Sequence, residues 1–162
     1  MADPFALLKI PPSFDLDLAQ LEKTYLTESA ANHPDRFADP IEQADAAERS
    51  AALNQAYRQL RDPESRARAL LAAQGGTKDQ ESALPPDLLM EMMEVREDLD
   101  DAIQRQDTEA LKRHRRWADQ QRAGYLDRLA VLFTQAPVDG LEVQRQLNAL
   151  RYIERMLEQI PD

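Results

Sequence analysis

Aspartate standing just ahead of a helix-favouring run recurs along this chain and constrains its fold more than any other feature. A short acidic side chain at such a point accepts backbone N–H groups that have no partner within the helix. Asp17 precedes Leu18, Leu21 and Tyr25, apolar residues three and four apart. That helix should end near Asn32, because Pro34 biases His33 away from helical backbone. Asp39, Pro40 and Glu42 form a capping-box pattern opening a helix that runs to about Arg61. Its apolar face carries Leu53, Ala56, Tyr57 and Leu60. Asp62-Pro63 repeats the start signal, Leu70-Leu71 lie in a short helix, and Gly75-Gly76 stops it. No stretch alternates apolar and polar residues with β-branched enrichment, so the expected class is all-α.

Residues 75–86 read GGTKDQESALPP, two glycines, a polar run and two prolines, and so predict a linker. Three longer patterns follow it. Residues 87–105 carry a stripe of Leu88, Met92, Val95, Leu99 and Ile103. Residues 108–133 carry Leu111, Ala118, Tyr125, Leu129 and Leu132, and residues 141–160, after Pro137 and Asp139, carry Val143, Leu147, Leu150 and Leu157. Short polar turns between such helices predict an antiparallel three-helix bundle. The expected organisation is a small helical domain over 1–74, a linker over 75–86 and the bundle over 87–162.

Hydrophobic residues make up 43% of the chain, enough for a packed core. The formal net charge of −10 opposes binding to phosphate backbones and anionic membranes, so neither nucleic acid nor membrane is expected as a partner. Cysteine is absent, which excludes disulfides, thiol catalysis and cysteine zinc sites. Residues 5–10 are too short an apolar stretch for a signal core and are interrupted by Lys9. These features read as a soluble, cytoplasmic protein. The basic run Lys112-Arg113-His114-Arg115-Arg116 reads as a solvated helix face paired with nearby acids. His114 has no second histidine or cysteine near it, and Asp98, Asp100 and Asp101 lack the spacing of a calcium loop, so no metal is expected. Four glycines leave little material for a phosphate cradle, and no cofactor is expected.

His33-Pro34-Asp35 lies between two predicted helices. Proline fixes the local backbone, and a stiff turn can hold an imidazole and a carboxylate toward a partner. An exposed aspartate can accept paired hydrogen bonds from an arginine. Taken alone, the tripeptide reads rather as a helix-ending turn whose histidine packs or caps.

The order of elements carries more. A short helix at residues 4–8, a helix, His-Pro-Asp and a helix containing Leu53-Asn54-Gln55-Ala56-Tyr57 resemble a J-domain. Asn54, Ala56-Tyr57, Leu60, Pro63, Arg66-Ala67 and Leu70-Leu71 resemble the end of the J-domain in HscB-type co-chaperones. Leu89-Met90-Glu91, Glu94, Arg96-Glu97 and Leu99 resemble the start of the same family's C-terminal bundle. The resemblance spans residues 3–104 clearly and the last two helices more loosely. It implies a non-enzymatic adaptor that docks on a DnaK-like ATPase chaperone, usually HscA, and promotes its ATP hydrolysis. By position, His33, Pro34 and Asp35 would face the chaperone, with Arg36 and Lys23 as electrostatic support. The bundle would bind the iron–sulfur scaffold protein IscU.

Spacing outlines the client face as well. Met90, Met93, Glu94, Glu97 and Asp101 fall along one side of a helix, with Leu89 flanking them. Methionines bordered by carboxylates suit an adaptable protein contact, and the core stripe is already filled without them. Tyr152 corresponds to an aromatic client contact in the family, and reads equally as a partly buried bundle tyrosine.

Three departures from the family stand out. The segment Thr27-Glu28-Ser29-Ala30-Ala31-Asn32 before His-Pro-Asp has no base, where J-domains commonly carry several, so long-range steering should be weak. Glu28 occupies a place where the family has a buried leucine, and must reach solvent or find a partner. The cysteines of family members with an N-terminal zinc module are missing. Three other readings remain distinct: an adaptor for a different client, a small acid–base enzyme using His33 with Asp35, and a bundle indifferent to the tripeptide.

Overall fold

A computed structural model describes residues 3–75 and 84–161; most of the expected linker, 76–83, lies outside the described residues. Among the described residues the fold is all-α, with seven α-helices and no strand. The chain divides into two compact units, Met1–Gly76 and Thr77–Asp162.

In the first unit the helices are α1 (Pro4–Leu7), α2 (Leu18–Ala31), α3 (Pro40–Arg61) and α4 (Pro63–Ala73), with a 3-10 turn at Pro34–Arg36. Each α-helix opens on an aspartate. Asp3 accepts from the N–H of Phe5, Asp17 from Ala19 and Gln20, Asp39 from Ile41 and Asp62 from Ser65. The expected capping box at Asp39 takes a different form. Its carboxylate accepts the N–H of Ile41, the second residue of the helix, at 2.7 Å, and Glu42 stays exposed. Gly75 follows the end of α4 at φ 73, a left-handed conformation that a side chain would disfavour.

Helices α2 and α3 pair as an antiparallel hairpin, and α1 and α4 pack on α3. The pairing shows in two contacts. The rings of Tyr25 and Tyr57 stack with centroids 4.3 Å apart, and the Tyr25 hydroxyl bonds Asn54. Phe5, Leu8, Leu21, Leu53, Leu60 and Leu70 fill the core. Arg66 is buried among them, donating from Nη1 to the Leu60 carbonyl at 2.8 Å with its guanidinium over the Phe14 ring. Burial lowers its pKa, and the nearby charges of Asp62 and Asp15 offset part of that. The site at Glu28 resolves by pairing: Lys9 Nζ donates to its carboxylate at 2.8 Å. Lys9 reaches it from a turn residue at φ 54.

The second unit comprises α5 (Pro86–Gln104), α6 (Thr108–Leu132) and α7 (Gly140–Gln159). Pro86 takes the first position of α5, where its missing N–H costs no hydrogen bond. Asp107 and Asp139 cap α6 and α7 through the N–H groups of Ala110 and Glu142. Arg115 on α6 donates to the carbonyls of Ile160 and Pro161, while Arg122 pairs with Glu154 at 3.3 Å. Those contacts run in opposite chain directions, so α6 and α7 are antiparallel, and α5 packs on α6. Met92, Leu99, Leu129, Leu147, Leu150 and Ile153 are fully buried. Leu88, Val95, Ile103, Leu111, Leu132 and Leu157, expected on the core stripes, are half-buried at its margin. Ala102, Ala118 and Ala149 complete the packing where helices approach closely.

Candidate functional site

Chemistry-bearing side chains gather in two places, one in each unit. The first is the turn between α2 and α3. His33 precedes a proline and takes the extended backbone this requires, φ −69 and ψ 130. Extension lets it cap the 3-10 turn: its Nδ1 accepts the Asp35 N–H at 3.3 Å. Asp35 Oδ2 stands 3.6 Å from the same nitrogen. One lone pair cannot serve both, because a proton on Nδ1 would remove the acceptor. The backbone N–H is fixed in direction by the turn, so we assign the ring a proton on Nε2 and read the carboxylate as an exposed neighbour, not an ion-pair partner. The side chains of His33 and Asp35 are 59% and 89% exposed, leaving Nε2–H and both carboxylate oxygens open to a partner.

The surrounding residues immobilise this turn. Arg36 donates from Nη1 to the Ala30 carbonyl at 3.3 Å, tying the turn back to α2. From α3, Ser50 donates to the Asn32 carbonyl at 3.0 Å and Gln43 to the Phe37 carbonyl at 2.8 Å. Both flanks of the tripeptide are therefore anchored while its middle projects. Arg36 is exposed but partly committed to this internal bond, and Lys23 lies exposed two helical turns before the end of α2. The outward surface of α2 also carries Leu18 and Leu26, 49% and 58% exposed.

The second place is the outer side of α5. Met90 and Met93 are 64% and 55% exposed and Leu89 is 39%, while Met92 between them is fully buried. Periodicity thus separates the two methionine sets, one packing and one outward. Glu94, Glu97 and Asp101 are exposed along the same ridge, and Asp101 also meets Arg105 at 3.5 Å. Tyr152 is half-buried on α7 and lines a cleft of about 250 Å³ with Arg96 of α5 and with Arg155, Met156 and Gln159. The bundle thereby brings Tyr152 beside the helix that bears the other face residues. Arg155 escaped sequence reasoning, while Arg96 stood in the family-like run Arg96-Glu97 with no contact assigned to it. Its place three residues after Met93 puts it on the neighbouring ridge of α5.

Lys112 pairs with Glu109, as a solvated face would, while Arg115 instead holds the end of α7. No cluster of three metal-ligating side chains occurs among the described residues. No helix among them is long and apolar enough to cross a membrane.

The chain is similar to known proteins in sequence and in fold. Residues 84–161 match the family model of the HSCB C-terminal oligomerisation domain. The chain is 41% identical over 116 residues to a co-chaperone HscB homologue of Neisseria meningitidis, covering 69% of this chain and 70% of that one. It is 46% identical over 108 residues to a homologue from Bordetella pertussis, covering 62% and 61%. Among solved structures, the chaperone HscB of Vibrio cholerae superposes with a TM-score of 0.85 at 30% identity, over 98% of this chain and 95% of that one. Human co-chaperone HscB superposes with a TM-score of 0.88 at 27% identity, over 99% and 81%. An exposed, anchored His-Pro-Asp turn on one helical unit and a three-helix bundle in the other, together with these likenesses, place the chain in the HscB co-chaperone family.

Proposed function

We propose that this chain stimulates ATP hydrolysis by a DnaK/HscA-like chaperone and delivers to it an IscU-like iron–sulfur scaffold protein. In this reading residues 1–74 are the J-domain, 75–86 the linker and 87–162 the client-binding bundle, working in the cytoplasm. His33, Pro34 and Asp35 make the chaperone contact, with Arg36 and Lys23 in support. Leu89, Met90, Met93, Glu94, Glu97, Asp101 and Tyr152 receive the client. The observation that carries the reading is the turn itself: two exposed polar side chains on a turn whose flanks are bonded to α2 and α3. Such a turn transmits binding energy without performing chemistry. A histidine and a carboxylate in open solvent have no enclosure to position a substrate, so the acid–base enzyme has no support here, and the protein acts through the chaperone's own catalytic site.

A second reading keeps the chaperone contact and gives the bundle a different client. On the chaperone side, α2 exposes Leu18 and Leu26 and carries few bases, which fits a docking partner less acidic than usual. The test is single-turnover ATP hydrolysis by the DnaK-like chaperones of the same cell, with wild type and His33→Gln, each with and without the scaffold. Wild type should accelerate hydrolysis at least about tenfold and His33→Gln not at all, with further acceleration when scaffold is present. Acceleration unaffected by scaffold would favour the second reading. No acceleration by wild type with any of those chaperones would overturn both.

A further inference from the structure

The client face has a flank whose positive charge none of its assigned residues explains. About Met93, at roughly 100° per residue, Leu89 and Arg96 fall to one side, while Met90, Glu97, Glu94 and Asp101 fall to the other. The acidic side adjoins a second cleft, shared with α6, that Asp98 and Asp101 line together with Arg105, Arg113 and His114, so among the described residues the unpaired carboxylates of this edge are Glu94 and Glu97. Arg96 instead lines the cleft shared with α7, where Tyr152 and Arg155 meet it. The face is therefore electrically divided, with carboxylates along one edge, arginines along the other and exposed methionine between.

The two arginines are conspicuous in a chain of net charge −10. Their neighbours find acids: Arg122 takes Glu154, Arg105 takes Asp101 and Arg145 takes Glu142. Arg96 and Arg155 have no acidic partner among the described residues, although Glu97 and Glu158 are close in sequence. Two like charges beside one cleft repel each other, and an anion entering it relieves that repulsion while accepting forked N–H donors. A volume of about 250 Å³ admits the end of an acidic side chain. The phenol of Tyr152 supplies one more donor and an apolar wall.

We propose that Arg96 and Arg155, which share one cleft with Tyr152, form a notch that receives a carboxylate side chain of the client. This rests on the reading that the bundle binds an IscU-like scaffold, and adds the chemistry of the recognised segment. That segment carries an acid for the notch, an apolar residue for Met93 and Leu89, and a base for the Glu94–Glu97 edge. A divided face accepts such a segment in one direction and meets the reversed one with like charges, so the notch sets client orientation.

The test is calorimetric binding of the full chain to the scaffold protein of the same cell, using wild type, Arg96→Gln with Arg155→Gln, Arg96→Glu with Arg155→Glu, and Met93→Ala. Helical circular dichroism confirms that each variant is folded. The double Gln variant should bind about tenfold more weakly and the double Glu variant weaker still. The double Glu variant should be rescued by a scaffold in which one surface carboxylate is changed to lysine. If Met93→Ala weakens binding while the double Gln variant stays within about twofold of wild type, the notch is refuted and the client reading stands. If wild type does not bind the scaffold at all, both are refuted.

Discussion

The two surfaces differ in how they are held. The His-Pro-Asp turn is small, polar and exposed, and its geometry comes from bonds made just behind it by Arg36, Ser50 and Gln43. The outer side of α5 is extended and amphipathic, and its geometry comes from the burial of Met92 and Leu99 on the opposite side of the same helix. A turn of the first kind concentrates its effect in two or three side chains, since each has a fixed direction and no redundancy. A face of the second kind spreads its effect over an apolar centre and charged edges, where methionines can adapt to the partner. One surface can act as a switch and the other as a grip.

The widest separation between them appears when each is broken alone. Asp35→Ala should reduce chaperone stimulation to the basal rate while scaffold affinity stays within about twofold of wild type. Leu89→Glu combined with Met93→Glu should weaken scaffold binding roughly 100-fold, because it places unpaired charge at the apolar centre of the contact. Stimulation without scaffold should persist in that variant. Single-turnover hydrolysis and calorimetry on the same preparations read both quantities. If either variant lost both activities, the division of labour proposed for the two units would fail.

A smaller effect tests whether the units also stand apart energetically. Leu60 and Leu150 are each fully buried, in the first and second unit respectively. Truncation of either to alanine should cost about 2–5 kcal/mol. Amide hydrogen exchange should then show the loss of protection confined to residues 3–75 for Leu60→Ala and to 84–161 for Leu150→Ala. Equal loss in both would mean that the chain unfolds as one cooperative block.

The same contrast governs how much could be read from sequence. Helix starts at Asp17, Asp39, Asp62 and Asp139 are local chemistry, a side chain meeting an N–H two or three residues on, and so were legible. The all-α class and the outward placement of Met90 and Met93 follow from periodicity along one helix. Detail faded where geometry chose among nearby donors, as when Asp39 bonded Ile41 and left Glu42 without a role in the cap. What lay beyond reach joins distant residues. Lys9 meets Glu28 across nineteen positions because a left-handed turn redirects the chain, and no spacing rule encodes that. Arg96 and Arg155 meet at one cleft only because α5 and α7 are neighbours in the bundle. Buried alanines such as Ala102 and Ala149 escape hydrophobic pattern reading because their importance is lack of bulk.

The smallest expected effect concerns Tyr125, a phenol inside the bundle and not on either surface. Burial raises its pKa above the ordinary 10.0; Arg128, whose guanidinium lies 5.3 Å from the ring centroid, pulls it partly back, and Glu91 adds to the rise. The folded bundle therefore disfavours the tyrosinate more than the unfolded chain does. Its contribution is fully present below the unfolded pKa and is lost as pH rises through the folded one. Tyr125→Phe should remove this part of the alkaline decline, so that stability of the bundle falls less steeply above about pH 10. Below that pH the variant should stay within about 1.5 kcal/mol of wild type, the range of a single hydroxyl deletion. Urea unfolding followed at several pH values, with 295 nm absorbance reporting ionisation, separates the two effects. A Phe variant that declined in parallel with wild type would place the alkaline sensitivity elsewhere and leave Tyr125 as packing alone. A shallower decline would show that the bundle's interior, unlike the exposed turn, holds a polar group whose protonation state depends on the fold.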